Sequence, residues 1–311
     1  MNRSRLWAVV LAGGEGRRLR PLVERIHADG RPKQFAVLVG SRSLLRRTLD
    51  RVGLEIPPDR TVVVATRTHE RFLADELIET PRVRVLVQPL DRGTAAGILL
   101  ATHRIAGIDP DAVVAMFPSD HFVSNDSVFM SHIRRIVGFV ERHPDRIVLL
   151  GVRPDAPEPG YGWIEPGDDL DEPGVRTVRR FWEKPAAEIA RSCMARGGLW
   201  NTFVLVAKAS AILDAGRRAL PALSAVLAGA GVERDELARA YAQIPAADFS
   251  SSVLAAFPEL LAVSRLPSLT WSDWGTPERV TETVRHEGLV PNWLDAPRPG
   301  AGFRSPAVLA P

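Results

Sequence analysis

Residues 6–35 read LWAVVLAGGEGRRLRPLVERIHADGRPKQF, and this stretch decides the fold class. The unbroken apolar run 6–12 is too short to span a membrane and ends in glycines, the pattern of a strand buried on both faces of a parallel sheet. Gly13, Gly14 and Gly16 follow, removing side chains where the backbone must turn sharply and its N–H groups can face an anion. Arg17 and Arg18 then add fixed positive charge, and a guanidinium fork suits phosphate oxygens. Pro32-Lys33-Gln34-Phe35 brings a lysine behind a stiff proline, a second point charge for the same anion. The dinucleotide fingerprint G-x-G-x-x-G is not met, because counting from Gly14 its last position is Leu19. The P-loop pattern G-x-x-x-x-G-K-[ST] is absent too.

Outward from this stretch, strand and helix signals alternate. Strands are expected at 61–65, 83–88 and 112–117, with helices at 68–79 and 94–106 between them. That rhythm predicts an α/β fold: a Rossmann-like, mainly parallel (mixed) central sheet with helices on both faces. Ligands of such sheets bind beyond the carboxyl ends of the strands, so 6–12, 83–88 and 112–117 should deliver their next residues to one cleft. After a helix at 127–142 and a strand at 147–151 the pattern changes to a loop with Pro154, Pro157, Pro159 and Gly160. A strand starting at 161–165 should pair with 175–182, followed by a helix at 186–196, a strand at 200–207 and helices over roughly 209–257. Strand-like pieces at 261–264 and 269–271 precede a last helix from 277 to about 286. The expected organisation is one domain, 1–285, with halves 1–150 and 151–285 on one continuous sheet. A proline- and glycine-rich tail, 286–311, follows.

Composition sets bounds. Apolar content of 45% and charged content of 25% are those of an ordinary soluble globular protein. The formal charge is only +3, so the sequence pI of 9.5 reflects a preference for arginine, Lys33, Lys184 and Lys208 being the only lysines. There is no aromatic–basic interleaving, and nucleic acid is not an expected partner. Cys193 is the single cysteine, which excludes an intrachain disulfide and reads as a packed thiol. The short basic start has no longer apolar region or cleavage site behind it, and no run of about 18 apolar residues exists. A cytoplasmic protein without membrane contact is expected.

Several residues have the chemistry for a site. Asp120 in Pro118-Ser119-Asp120-His121 follows a buried strand directly, placed either to hold Mg²⁺ against phosphates or to cap the next turn. Mg²⁺ prefers oxygen, which leaves His121 a structural role. Asp273 in Trp271-Ser272-Asp273-Trp274-Gly275-Thr276 precedes a helix, where an aspartate is more often an N-cap, although Thr276 before Pro277 is the better cap candidate. Glu183 and Lys184 end a strand side by side, and regular alternation would turn only one of them to the cleft.

The combination G-G-x-G-x-R-L-x-P with P-K-Q-F resembles the signature of sugar-1-phosphate nucleotidyltransferases, and the Pro-Lys-Gln-Phe variant looks most like the mannose-1-phosphate guanylyltransferase branch. The resemblance covers about 6–285 and rests on at least six ordered motifs. It implies that Leu11, Ala12, Gly13, Gly14, Gly16, Arg17, Arg18 and Lys33 bind the nucleotide, together with Gln88, Arg92, Thr94 and Asp120. It implies that Asp273, in a W-x-D-x-G segment, completes a Mg²⁺ site with Asp120. Tyr161 and Gly162 (G-Y-G), Glu183 and Lys184 (E-K-P) and Asn201 (W-N-[ST]-G-[MI]-F) match positions that bind the sugar phosphate. The implied reaction is Mg²⁺-dependent transfer of GMP from GTP to mannose 1-phosphate by direct displacement at the α-phosphorus, with Arg18, Lys33, Asp120 and Asp273 catalytic.

Three positions depart from the family pattern: Phe203 stands where glycine is usual, Gln88 for glutamate and Gly93 for asparagine. Phe203 is expected to narrow the sugar pocket, and the base pocket is less defined than the phosphate loop. The alternatives are a glucose-1-phosphate thymidylyl- or uridylyltransferase and a non-catalytic nucleotide-sugar sensor; the latter would more naturally lack Asp120, Asp273 or Lys33. A homo-oligomer is compatible with the sequence, and no isomerase or β-helix domain is expected after 285.

Overall fold

The computed structural model describes residues 5–231 and 233–294. The chain opens with β1 (Leu6–Leu11), α1 (Arg20–Ile26), α2 (Leu44–Gly53), β2 (Thr61–Thr66), α3 (Glu70–Leu77), β3 (Arg84–Gln88), α4 (Gly93–Ile108) and β4 (Val113–Pro118). It continues through β5 (Phe122–Val123), α5 (Asp126–Arg142), β6 (Ile147–Val152), β7 (Trp163–Asp169), β8 (Val175–Trp182), α6 (Ala187–Ala195) and β9 (Leu199–Lys208). Then come α7 (Ala209–Ala219), α8 (Pro221–Ala228), α9 (Arg234–Gln243), β10 (Leu261–Arg265), β11 (Trp271–Ser272) and α10 (Pro277–His286).

Nine strands form one sheet in the order β3-β2-β1-β4-β9-β6-β10-β8-β7. The first four run parallel, β9 is antiparallel to both β4 and β6, and β8 and β7 close the far edge antiparallel. The sheet is therefore mixed and continuous through both halves of the chain, as the alternation of elements predicts. Its central strands are apolar on both faces because each face meets helices. Ala8, Val10, Val63 and Ala115 pack with Leu45 and Leu49 of α2 and Ile133 and Ile136 of α5. The alternate residues Val9, Val62, Val64 and Val114 pack with Ile98 and Leu99 of α4 and Ile212 of α7. Burying one such Val or Leu side chain contributes about 1.5–3 kcal/mol, so an unbroken apolar run is stable only with helices on both faces.

Helix starts follow side-chain caps: Ser43 accepts from the Arg46 amide, Asn125 from Val128 and Thr276 from Arg279. Thr276, not Asp273, caps α10. The expected helix at 68–79 is a 3₁₀ turn, Arg67–His69, running into α3, and the region 209–257 holds three helices and a π-helical turn, Ser250–Leu254. The strand expected at 269–271 shortens to β11, which pairs only with β5 in a ribbon outside the main sheet. In the expected tail Leu289, Trp293 and Leu294 pack on the cluster around Leu22 and Leu38, with Trp293 donating its Nε1–H to the Leu38 carbonyl at 2.7 Å. The remainder, 295–311, lies outside the described residues. Among the described residues no helix is long and apolar enough to cross a membrane.

Candidate active site

The glycine loop and the Pro-Lys-Gln-Phe segment form one unit. Gln34, 2% exposed, donates from Nε2 to the carbonyls of Ala12 and Gly14 at 2.8 and 3.0 Å, fastening the loop to its own segment. Gly16 has φ +59°, and a Cβ there would stand 2.7 Å from Lys33 Cβ. Glycine is required because the lysine segment lies directly against the turn. Gln34 was not singled out by the sequence reading, although it stands inside the motif.

Lys33 joins three distant segments. Its side chain is 5% exposed, its Nζ lies 2.9 Å from Asp120 Oδ2, and it donates to the main-chain carbonyl of Asp273. The Asp273 carboxylate is equally well held. Oδ1 accepts from the Tyr161 hydroxyl at 2.8 Å and the Gly275 amide at 2.9 Å, while Arg279 Nη1 lies 3.1 Å from both oxygens. Arg18 Nη2 stands 3.6 Å from Oδ2. Burial pushes the Asp273 carboxyl up, but His121, Lys33 and Arg279, with the Tyr161 hydrogen bond, outweigh it and hold it below the usual carboxylate range. Burial, then the Asp273 charge, raises the Tyr161 phenol, which stays a donor. His121 is lowered to about 4 by burial and is neutral near pH 7. Its Nε2 is 4.0 Å from Asp120 Oδ1 and its ring meets Trp271 edge-on at 5.2 Å.

Asp120, Asp273, Arg17, Arg18 and Lys33 share the lining of a cavity of about 360 Å³. A Cβ on Gly275 would lie 2.3 Å from Asp273 Oδ2, so the missing side chain leaves that oxygen room. Among the described residues no group of three or more His, Cys, Asp and Glu could hold a metal ion. Two hard carboxylates beside a phosphate loop nevertheless suit Mg²⁺, which commonly takes one or two carboxylates and fills its shell with waters and substrate phosphates.

A second cavity, of about 330 Å³, shares Asp120 and is lined by Leu11, Gly13, Gly14, Gln88, Thr94, Phe203 and Asp248. The residues that follow β1, β3 and β4 thus meet in one cleft. Ala12 is fully buried behind it, its amide bonded to the Val64 carbonyl. Arg92 is not brought into this lining: its Nε donates to the Tyr241 carbonyl at 2.9 Å, which ties α9 to the start of α4. Gly93 has φ +76°, and a Cβ would fall 2.4 Å from the Ala247 carbonyl oxygen. An asparagine therefore has no space here, because the segment after α9 lies across this corner. Tyr241 of α9 and Asp248 of the segment after it were missed by the sequence reading; no motif or spacing marks them.

Towards the second half of the chain, Gly162, Glu183 and Asn201 converge. A Cβ on Gly162 would lie 3.1 Å from Glu183 Oε2 and 3.2 Å from Asn201 Cβ, and the Asn201 amide donates to the Gly162 carbonyl at 2.8 Å. Lys184 adopts φ +44°, which breaks the strand alternation and lets its Nζ approach Glu183 Oε1 to 2.8 Å. Tyr161 does not join this group through its hydroxyl, which is committed to Asp273. Phe203 requires a correction. β9 bulges against β6, Leu149 pairing with Leu205 but Gly151 with Asn201, and Phe203 takes φ +60° in the bulge. A left-handed bulge residue is ordinarily glycine. Its side chain lines the cavity of Gly13 and Gln88, so it borders the glycine-loop side and not the Gly162–Glu183–Asn201 group.

A mixed sheet with an anion-binding turn after its first strand and a cleft at the strands' carboxyl ends is the nucleotidyltransferase type of α/β fold. The chain belongs to the nucleotidyl transferase family, whose model matches residues 7–287. It is 32% identical over 220 residues to the xanthan biosynthesis protein XanB of Xanthomonas campestris, covering 70% of this chain and 45% of that one. It is 32% identical over 217 residues to a mannose-1-phosphate guanylyltransferase of Klebsiella pneumoniae, covering 67% and 44%. The chain therefore spans less than half the length of these relatives. A crystal structure from Thermus thermophilus, described as a "mannose-1-phosphate geranyltransferase", superposes with a TM-score of 0.75 at 29% identity, covering 87% of this chain and 76% of that one.

Proposed function

We propose that the protein transfers GMP from GTP to mannose 1-phosphate, giving GDP-mannose and pyrophosphate. The observation that carries this reading is the convergence of Asp120 and Asp273 on Lys33 beside the glycine loop. The names of the relatives support the choice of mannose 1-phosphate and GTP. In this reading residues 1–150 bind the nucleotide and 151–285 the sugar phosphate.

The attacking group is an oxygen of the sugar phosphate, already anionic, so no protein nucleophile or general base is needed. Catalysis reduces to alignment and charge neutralisation. The amides of Gly13, Gly14 and Gly16 face the triphosphate, Arg17 and Arg18 neutralise the departing pyrophosphate, and Lys33 holds the α-phosphoryl oxygens. Leu11, Gln88 and Thr94 border the nucleoside. Glu183 and Asn201 bind sugar hydroxyls, Gly162 lets the sugar approach the backbone, and Lys184 pairs with the sugar phosphate. Tyr161 and Arg279 hold Asp273 in place. Asp120 and Asp273 would hold Mg²⁺, which when bound supplies positive charge to the phosphates of both substrates.

Pyrophosphate release measured with GTP, ATP, UTP and dTTP, each against mannose 1-phosphate and glucose 1-phosphate, tests the reading. GTP with mannose 1-phosphate is expected to have the highest kcat/KM. A preference for UTP or dTTP with glucose 1-phosphate would assign the chain to the other branch.

A further inference from the structure

Glu15 stands at the open position of G-G-x-G, so a turn that should receive a triphosphate carries a negative side chain in its midst. That side chain is 39% exposed and lines two cavities. One is the cavity of about 360 Å³ that holds Arg17, Arg18, Asp120 and Asp273. The other, of about 210 Å³, lies behind the turn and is lined also by Arg20, Arg31, His69 and Phe72, with Gly16 and Lys33 shared between the two. A carboxylate in the front cavity would repel phosphates, whereas one in the rear cavity is out of their way.

The Glu15 carboxylate is turned to the rear. Its Oε1 lies 3.6 Å from His69 Nε2 and its Oε2 3.7 Å from Arg20 Nη2. His69 is itself a fixed point. It ends the 3₁₀ turn after β2, is 3% exposed, and its ring meets Phe35 edge-on at 5.9 Å. Its Nδ1 lies 3.1 Å from Thr66 Oγ1 and 3.4 Å from both the Ala12 carbonyl and Gln34 Nε2. The two hydrogens of that Gln34 amide go to the Ala12 and Gly14 carbonyls, which leaves the Thr66 hydroxyl as the donor to Nδ1. A carboxylate only accepts, so the ring proton belongs on Nε2, facing Glu15; the tautomer is assigned by this network. Burial lowers the His69 pKa against the pull of the Ala12 carbonyl and the Glu15 charge, and the ring is neutral near pH 7.

We propose that His69 and Arg20 are positioning residues that hold the Glu15 carboxylate behind the glycine turn, so that the turn presents only amides and cations to the triphosphate. Released from them, the side chain reaches the front cavity that it already borders. There it stands beside Arg17, Arg18 and Lys33 and competes with the phosphates for their charge. Nothing lies within 4 Å of a Cβ on Gly14, so the front of the turn has room for it. This inference rests on the proposed nucleotidyl transfer.

The test is steady-state pyrophosphate release by the full chain with Mg²⁺, saturating mannose 1-phosphate and varied GTP. Arg20→Ala, His69→Asn and His69→Gln are each measured with Glu15 intact and with Glu15→Gln. Arg20→Ala is an exposed change, and His69→Asn keeps a polar group near the Nδ1 position but none at Nε2. With Glu15 intact each should raise KM for GTP by about tenfold and leave kcat within about threefold. His69→Gln, whose amide can reach the Nε2 position, should keep KM within about threefold of wild type. Glu15→Gln alone should leave KM for GTP at or below the wild-type value. In its presence Arg20→Ala and His69→Asn should no longer raise KM, because no charge is left to release. A merely structural role for His69 would lower the melting temperature and impair both backgrounds alike. Should His69→Asn not fold, Arg20→Ala with and without Glu15→Gln decides the case. An unchanged KM for GTP in Arg20→Ala and folded His69→Asn, or a rise that persists with Glu15→Gln, overturns the inference alone. A wild-type chain that neither releases pyrophosphate nor binds GTP overturns the nucleotidyl-transfer reading and this inference with it.

Discussion

Gly16→Ala and Gly14→Ala change neighbouring glycines of one turn by the same methyl group, yet the structure predicts different outcomes. At Gly16 the backbone has φ +59°, and placing an L-residue there costs about 1–2 kcal/mol. The new Cβ would also meet Lys33 Cβ at 2.7 Å, so the loop or the lysine must give by several tenths of an ångström, adding about 1 kcal/mol or more. The total, about 2–3 kcal/mol, corresponds to a fall in melting temperature of roughly 3–5 °C for a chain of this size. Because the displaced residue is Lys33, turnover should fall by about 100-fold as well, the effect of a catalytic group moved by about 1 Å. At Gly14 no atom lies within 4 Å of the added Cβ, and melting should be unchanged. Any effect there should appear as a higher KM for GTP, since the cavity beside the loop loses room. Thermal melts and steady-state kinetics of the two variants decide the matter. Equal melting temperatures, or a Gly16→Ala enzyme of wild-type kcat, would refute the packing of the lysine segment on the loop as the reason for Gly16.

Other expectations follow from the same geometry. Arg18, 57% exposed and 3.6 Å from Asp273, contributes little to packing, so Arg18→Ala should keep the melting temperature while lowering kcat by about 100-fold or more. Phe203→Gly relieves a left-handed conformation costing about 1 kcal/mol but removes ring packing, so stability should change little. Its kinetic effect should fall on KM for GTP and not on the choice of sugar, because the ring borders the cavity of Gln88. Burial, with Arg135 beside it, lowers the His132 pKa to about 4. A histidine that resists protonation only when folded contributes stability that is intact above about pH 6.5 and declines as pH falls towards 4. Melting curves of wild type and His132→Gln should therefore converge by about 2 kcal/mol between pH 7 and 4.5; parallel curves would show that His132 does not resist protonation in the fold.

The sequence displays what is local and repeated. Residues 6–12 announce a doubly buried strand because no solvated strand keeps seven apolar residues in a row, and the order of elements around it follows from hydrophobic period. Thr276 could be chosen over Asp273 as the cap because Pro277 marks the first turn of the helix. Direction is what the sequence leaves hidden. Arg92 lies in a motif yet turns to the Tyr241 carbonyl, and Tyr161 lies beside the sugar-side glycine yet gives its hydroxyl to Asp273. Phe203 reads as a substitution in a strand, but only the unequal pairing of β6 and β9 reveals the bulge that turns it to the other cavity. Tyr241, on α9, and Asp248, in the coil after it, carry no motif, and a phenol and a carboxylate look like any others until tertiary packing sets them against Gln88 and Thr94.

The central claim, that Asp120 and Asp273 act as one site for phosphoryl transfer, is tested most directly by a double-mutant cycle on pyrophosphate release from GTP and mannose 1-phosphate. If the two carboxylates act together, removing one destroys the site. Asp120→Asn and Asp273→Asn should each lower kcat by about 1,000-fold, and the double variant should be less than about tenfold worse than either. Losses that multiply, or an Asp273→Asn enzyme that keeps its kcat and loses only melting temperature, would contradict the account.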